Sequence, residues 1–165
     1  MPERIFMPHE INPEFLRHAI RLATRNAVNG AGGPFGAVIV RNGRMISEGV
    51  NTVTASHDPT AHAEVNAIRA AATALGTFSL EGCELYSSCE PCPMCLAAAY
   101  WARVDAIFYG ASAADADRAG FDDARLYKEF TTEPADRTLP ARQLLADEAR
   151  ASFVAWVESP NKIDY

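Results

Sequence analysis

The sequence predicts an α/β fold with a mixed sheet, built as a single domain over residues 1–165. Helical and extended segments alternate along the chain, the order expected when helices are layered against a sheet. Residues 36–40 are apolar without interruption, as in a strand covered on both faces, and Asn42-Gly43 then signals a two-residue hairpin turn. We find no repeat or linker that would divide the chain, and its length is enough to bury a core without disulfides.

Each predicted element has its own local signal. The first helix carries Arg17, Arg21 and Arg25 in a row that could contact phosphates, although a solvated face explains it more simply. Asp58-Pro59-Thr60 is a helix start, because it combines a capping residue with a proline suited to the first turn. The predicted helices cover residues 12–29, 61–75, 93–103 and 147–158, and the predicted strands cover 36–40, 44–50, 83–88 and 104–109.

Composition and charge narrow the possible functions. The net charge of −6 argues against a nucleic-acid partner, which usually requires a basic surface. The N-terminus does not read as a signal peptide, and no apolar run reaches membrane-spanning length. Three of the four cysteines are clustered, which indicates metal binding in a reducing compartment rather than a disulfide framework. We therefore expect a cytoplasmic protein with no membrane partner.

The strongest chemical signal is the stretch Ser-Cys-Glu-Pro-Cys-Pro-Met-Cys at residues 88–95, together with His62-Ala63-Glu64 earlier in the chain. One imidazole and two thiolates form a three-ligand zinc site, and a catalytic zinc keeps its fourth position open for water. Cys92 and Cys95 are three residues apart, so on a first helical turn their sulfurs lie on one side. A helix N-terminus also favours the thiolate form.

The combination of His-x-Glu with Pro-Cys-x-x-Cys is typical of the zinc-dependent nucleobase deaminases. Glu64 would not be a ligand in such a site; it would take a proton from the attacking water and return protons to the departing nitrogen. The alternative is a closed structural site in which Cys89 is a fourth ligand, as in a zinc-held interaction module. That alternative leaves Glu64 without a role.

Beyond this motif, the chain resembles the bacterial guanine deaminases of the cytidine deaminase superfamily. The resemblance implies a three-layer α/β/α sandwich with a central mixed five-stranded sheet, one Zn²⁺ per chain, and conversion of guanine and water into xanthine and ammonia. It rests on residues 33–38, 58–64, 88–95, 100–103 and 120–123, and on the tail that ends at Tyr165.

The same resemblance implies roles for individual residues. His62, Cys92 and Cys95 would be the zinc ligands, and Glu64 the main proton shuttle. Asn51 would recognise the base, and Asp123 would be a second catalytic acid at the guanine amino group. Further substrate contacts are expected from Phe35, Ala63, Trp101 and Tyr165. The family forms homodimers that exchange C-terminal segments, so residues 159–165 would close the active site of the partner.

Two other enzymatic functions stay open at this point. A tRNA adenosine deaminase shares the zinc motif, but its RNA calls for a basic surface that this composition does not provide. A deaminase for free cytosine is compatible with Asn51. The loops around the site also leave open a side activity on other amino-purines or on amino-triazines such as ammeline.

Overall fold

A computed structural model describes residues 11–164 of the chain. Within that range it contains a four-stranded sheet and seven α-helices. The strands are β1 (Gly36–Arg41), β2 (Arg44–Val50), β3 (Cys83–Cys89) and β4 (Ala106–Ala111). The helices are α1 (Pro13–Val28), α2 (Val53–Ser56), α3 (Ala63–Leu75), α4 (Pro93–Trp101), α5 (Ala113–Arg118), α6 (Asp123–Phe130) and α7 (Ala146–Glu158).

The sheet is mixed, with strand order β2-β1-β3-β4. β1 pairs antiparallel with both β2 and β3, whereas β3 and β4 are parallel. The expectation of a fifth strand is wrong for residues 11–164. The chain leaves β4 at Ser112, whose hydroxyl accepts a hydrogen bond from the Asp115 amide in a capping box, and this begins α5 instead of another strand.

Helices cover both faces of the sheet. Alternate side chains of β1 point to opposite faces, so Val38 and Val40 pack with Leu22 of α1. Ala37 and Ile39 pack on the other face with small residues of α3 and α4. The uninterrupted apolar run of β1 is therefore explained by burial on both faces.

Two glycines allow the helices to approach the strands closely. A Cβ at Gly49 of β2 would lie 2.3 Å from the backbone oxygen of Ala63 and 2.6 Å from the backbone nitrogen of Ala67, both in α3. A Cβ at Gly36 of β1 would lie 2.4 Å from the backbone oxygen of Ala19 in α1. The absence of a side chain at Gly49 thus sets the position of α3, which begins directly after His62.

Several predicted boundaries need correction. The helix expected from residue 61 begins at Ala63, because the Asp58 carboxylate accepts hydrogen bonds from Thr60 (2.8 Å from its amide) and closes a turn instead of capping a helix. The helix expected to reach residue 103 ends at Trp101, and Arg103 adopts a left-handed backbone with φ of 61°. The following strand accordingly starts two residues later than expected, at Ala106.

After β4, the described chain to residue 164 contains helices and irregular segments, and most of its side chains are exposed. The helices α2, α5 and α6 were not predicted from the sequence. Helix α7 matches its prediction to within one residue and buries no side chain. Among residues 11–164, no helix is both long and apolar enough to cross a membrane.

Candidate active site

Three metal-binding side chains meet where the N-termini of α3 and α4 converge. His62 is the N-cap of α3, Cys92 is the N-cap of α4, and Cys95 lies in the first turn of α4. The Sγ atoms of Cys92 and Cys95 each lie 3.5 Å from His62 Nδ1, and all three donor atoms are within 4.8 Å of one another. The prediction that these three residues lie together is therefore matched by the geometry.

The spacing of the donors fits a zinc ion. Tetrahedral zinc binds sulfur at about 2.3 Å and nitrogen at about 2.0 Å, which places sulfur and nitrogen ligands roughly 3.5 Å apart. The two sulfur–nitrogen separations have this value. Hydrogen bonds from the Cys95 thiol and from His62 lower the pKa of Cys92, which favours the thiolate form that binds a metal. One Zn²⁺ fits this group of residues.

Cys89 does not join the metal-binding group. It is the last residue of β3, and its Sγ lies 3.6 Å from the backbone oxygen of Ser112. Burial raises the pKa of Cys89 to about 11, which favours the neutral thiol. The group found among residues 11–164 therefore has three protein donors, and the closed four-ligand alternative is not favoured.

Glu64 stands beside the donors but is not one of them. It is the second residue of α3, and only 4% of its surface is exposed. The Ser87 hydroxyl of β3 donates a hydrogen bond to Glu64 Oε1 at 3.1 Å. Burial raises the pKa of Glu64, so this carboxyl group can both accept and release a proton closer to neutrality.

The metal-binding group opens into a cavity of about 260 Å³. Most of its walls come from the loop before β1, the region after β2, and the segment around the start of α6. The lining residues are Gly33, Phe35, Asn51, Val53, Thr54, His62, Glu64, Glu90, Cys92, Phe121 and Asp123. Phe35, Asn51 and Asp123 were all expected at the site, and the fold brings them together from segments far apart in sequence.

Asn51 is buried, and its side chain is held in a defined orientation. Its Oδ1 accepts hydrogen bonds from the amides of Gly33 and Val53, both at 3.3 Å. Its backbone oxygen accepts a hydrogen bond from Asn26 Nδ2 of α1 at 2.8 Å. This arrangement leaves the Asn51 amide NH₂ group to donate to a ligand in the cavity.

Asp123 is the first residue of α6 and lines the cavity together with Glu64. Burial, followed by the negative charge of Cys92, raises the pKa of Asp123. Helix α6, which carries Asp123, is hydrogen-bonded to the loop before Cys92, because the Tyr127 hydroxyl donates to the backbone oxygen of Pro91 at 2.8 Å. Two carboxyl groups with raised pKa values therefore line one cavity beside a metal-binding group.

Comparison with known proteins agrees with this geometry. Residues 9–111 match the family model described as the cytidine and deoxycytidylate deaminase zinc-binding region. The chain belongs to the cytidine and deoxycytidylate deaminase family. The three metal-binding residues lie inside the region that the family model matches. Asp123 and the helices α5, α6 and α7 lie beyond it.

Individual relatives extend the similarity past the family region. The chain is 52% identical over 159 residues to the guanine deaminase of Bacillus subtilis, a match that covers 96% of this chain and all of that protein. A crystal structure of the Bacillus subtilis guanine deaminase has a TM-score of 0.89 to this chain, covering 96% and 99% of the two. The tRNA-specific adenosine deaminase of Aquifex aeolicus is 45% identical over 97 residues, which are 59% of this chain and 64% of that protein.

Two other expected substrate contacts, both within the described residues, do not line the cavity. Ala63 is fully buried in α3 and is not part of the lining. Trp101 lies at the opposite end of α4 from the metal-binding group, and 63% of its surface is exposed. Tyr165 lies outside the described residues. The contact expected from Trp101 rested on the resemblance alone, since the cysteines already mark the N-terminal end of α4 as the end that faces the site.

Sequence reasoning missed other residues of the site. Ser87, which contacts Glu64, was read only as part of a strand, although its position five residues before Cys92 places it at the carboxyl end of β3. Phe121 entered only as part of residues 120–123, a segment that carries the resemblance, and its ring packs edge-on against Phe35 with centroids 4.7 Å apart. Contacts of this kind join distant segments and leave no local signal.

Proposed function

We propose that this chain is a zinc-dependent guanine deaminase that converts guanine and water into xanthine and ammonia. The observation that carries the proposal is the presence of Asn51 and Asp123 in the same cavity as the metal-binding group and Glu64. The similarity to the Bacillus subtilis enzyme over 96% of the chain supports guanine as the substrate. The free base fits the size of the cavity, about 260 Å³.

His62, Cys92 and Cys95 would hold the zinc ion. When bound, zinc supplies a Lewis acid that brings the pKa of water toward neutrality. Glu64 accepts the proton that water loses as its oxygen bonds to C2 of guanine, and then donates a proton to the ring nitrogen. Glu64 is suited to both steps because burial raises the pKa of its carboxyl group and the Ser87 hydroxyl fixes its position.

Asn51 and Asp123 would orient the base. The Asn51 NH₂ group can donate to the carbonyl oxygen or a ring nitrogen of guanine, which are acceptors. Asp123 can accept a hydrogen bond from the exocyclic amino group, and in its protonated form it can donate a proton to that nitrogen as the C–N bond breaks, so that the group leaves as ammonia. The raised pKa of Asp123 favours this second role.

Ammonia release from a panel of substrates tests the proposal. Purified, zinc-loaded protein is incubated with guanine, adenine, cytosine, cytidine and ammeline, and with a tRNA that carries adenosine at the wobble position. We expect the highest kcat/KM on guanine. Preference for cytosine would overturn the substrate assignment, and preference for the tRNA would support the function of the Aquifex aeolicus relative. The net charge of −6 favours the free base over RNA.

The quaternary structure proposed here is a homodimer with exchanged C-terminal segments. Helix α7 buries no residue in the chain alone, and it exposes 70% of Phe153 and 70% of Val157. A second copy would cover these apolar side chains. Residues 159–165 would then reach the partner's cavity, where Tyr165 would act as a lid.

Deletion of residues 161–165 tests whether the tail closes an active site, and a mixing experiment then tests whether it closes the site of its own chain or that of the partner. We expect the truncated chain to keep its zinc and its dimeric state but to lose most guanine turnover. Mixing it with a Glu64→Gln chain of full length should restore activity if the lid acts between subunits, because the intact tail then covers the working site. No recovery, with subunit exchange confirmed by mass spectrometry, would rule out the exchanged lid.

We also propose that residues 1–165 form one domain and that the protein works in the cytoplasm. All four cysteines are free, which suits a reducing compartment. Limited proteolysis tests the domain assignment, since a single domain should resist cleavage between β4 and α5.

A further inference from the structure

A second cavity, of about 250 Å³, lies next to the proposed guanine site. The rings of Phe35 and Phe121 line both cavities and pack edge-on against each other, with an angle of 79° between their planes. The two rings therefore form a partition between the cavities. Beyond them the wall is made of small side chains, among them Ala23 of α1 and Ala116 of α5.

The backbone holds each ring of the partition in place. The Phe35 amide donates to the Gly33 oxygen at 2.8 Å, and the Phe35 oxygen accepts from the Asn51 amide at 3.2 Å. The Phe121 amide donates to the Ala116 oxygen at 3.1 Å, directly after Gly120, whose φ of 92° is suited to glycine. Backbone hydrogen bonds thus attach Phe35 to Asn51 and Phe121 to α5, two separate parts of the chain.

The partition limits the size of the first cavity. Sites for drug-sized ligands span roughly 300 to 1,000 Å³, so a cavity of about 260 Å³ is small and suits a bare base. The space behind the rings is mostly apolar, so it would accept an alkyl group but would not compensate the lost hydration of a sugar.

Resting on the proposed function, we infer that Phe121, packed against Phe35, is a specificity determinant that restricts the site to bases without a bulky substituent. Removal of the Phe121 ring joins the two cavities and allows an apolar substituent of the base to enter the second one. Phe121 is the better position to change, because Phe35 lies in the loop whose Gly33 amide donates to the Asn51 side chain, so a shift of that loop would also disturb the base-recognition residue.

The test compares guanine with a series of propyl-guanines that carry the substituent at N1, N7, C8 or N9. For each protein, the measured quantity is kcat/KM on each propyl-guanine divided by kcat/KM on guanine. In Phe121→Ala we expect this ratio to rise by about tenfold or more for at least one position of the substituent, since even one methylene group in an apolar pocket changes specificity by roughly 10- to 200-fold. Phe121→Leu, which keeps most of the volume, should show little change.

A second substitution shows where the substituent goes. Thr24 lines the second cavity but not the first, and it lies on the exposed side of α1, so Thr24→Phe should fill the second cavity without disturbing the core. In the Phe121→Ala background it should remove the gain, while Thr24→Phe alone should leave the parent ratio unchanged. Zinc content and melting temperature of every variant establish that it is folded, and Phe121→Val provides a smaller truncation if the alanine variant is unstable.

Unchanged ratios in folded, zinc-loaded Phe121→Ala and Phe121→Val would overturn the inference, as would a gain that survives Thr24→Phe. Failure of the proposed function appears separately, as absence of guanine turnover in the parent protein. In that case the propyl series is built on the base that the parent does deaminate, and the same ratios decide the role of Phe121.

Discussion

Replacement of Glu64 by glutamine tests the central chemical role in the site. Glutamine keeps the size and the hydrogen-bonding oxygen of Glu64 but cannot take up and release a proton near neutrality. Glu64 is 4% exposed and lies beside the metal-binding group, so bulk water cannot easily replace it as a proton carrier. Turnover of guanine should therefore fall while zinc binding is kept.

The size of the expected loss is the contribution that a positioned acid–base group makes to turnover. General acid–base catalysis by a positioned side chain typically contributes about 100- to 10,000-fold. That range corresponds to roughly 2.7 to 5.4 kcal/mol of activation free energy, at about 1.36 kcal/mol per factor of ten. Ser87→Ala removes the 3.1 Å hydrogen bond to Glu64 and leaves the proton carrier in place. A single hydrogen bond contributes about 0.5 to 1.5 kcal/mol, so this variant should lose only about two- to tenfold.

The assay is steady-state ammonia release at saturating guanine, with zinc measured on the same samples. Glu90→Gln is the matched control, because Glu90 lines the same cavity but its carboxylate accepts a hydrogen bond from the Ala113 amide at 2.9 Å, a bond that glutamine can still accept. It should lose far less than Glu64→Gln.

The substitution also affects stability. In the metal-free protein, burial raises the pKa of Glu64 above its value in the unfolded chain. Ionisation of Glu64 therefore lowers the stability of the folded state at pH values above the pKa of the unfolded chain. Glu64→Gln should consequently melt no lower than the parent at neutral pH.

The assignment of Glu64 as the proton carrier would be contradicted if Glu64→Gln kept turnover within about tenfold of the parent with a full zinc content. It would also be wrong if Glu64→Gln and Glu90→Gln lost activity equally, since the effect would then reflect any loss of negative charge in the cavity.

Three further predictions concern the metal, the substrate and the fold. Cys92→Ser should lose zinc and Cys89→Ser should keep it, as measured by atomic absorption; the reverse result would contradict the three-donor site. Asp123→Asn should retain zinc but lose at least about tenfold in kcat/KM on guanine, and an unchanged value would remove Asp123 from the mechanism. Gly49→Ala should destabilise the fold by about 1 to 3 kcal/mol in urea unfolding, because its Cβ would overlap the backbone of α3 at 2.3 Å; a stability equal to that of the parent would show that α3 can shift at no cost.

Local sequence signals predicted most of the sheet and the chemistry of the donors. The uninterrupted apolar run of β1 and the Asn42-Gly43 turn specify the hairpin because short-range patterning and backbone preference act within a few residues. Residues 88–95 predicted the strand-to-helix junction that carries Cys92 and Cys95. Each of these features depends on neighbours in sequence, so the sequence contains the whole signal.

Other boundaries depended on local capping and turn hydrogen bonds that the sequence pattern did not resolve. The number of strands came from a resemblance and was wrong for the described chain, because a capping box at Ser112 turns the segment after β4 into a helix. The start of α3 shifted to Ala63 because the Asp58 carboxylate closes a turn instead of capping the helix, a choice between two local hydrogen-bonding options. This shift makes His62 the N-cap of α3, next to Cys92 and Cys95.

The sequence by itself determined which side chains can bind zinc and move protons, because the types and spacing of His62, Glu64, Cys92 and Cys95 already define that chemistry. Only the tertiary structure decided what surrounds them. Residues more than twenty positions apart in sequence, such as Ser87 and Glu64, or Phe35 and Phe121, make contact through the packing of helices on the sheet. The orientation and size of the site follow from those contacts, and contacts between distant segments depend on the whole chain's packing instead of any local pattern.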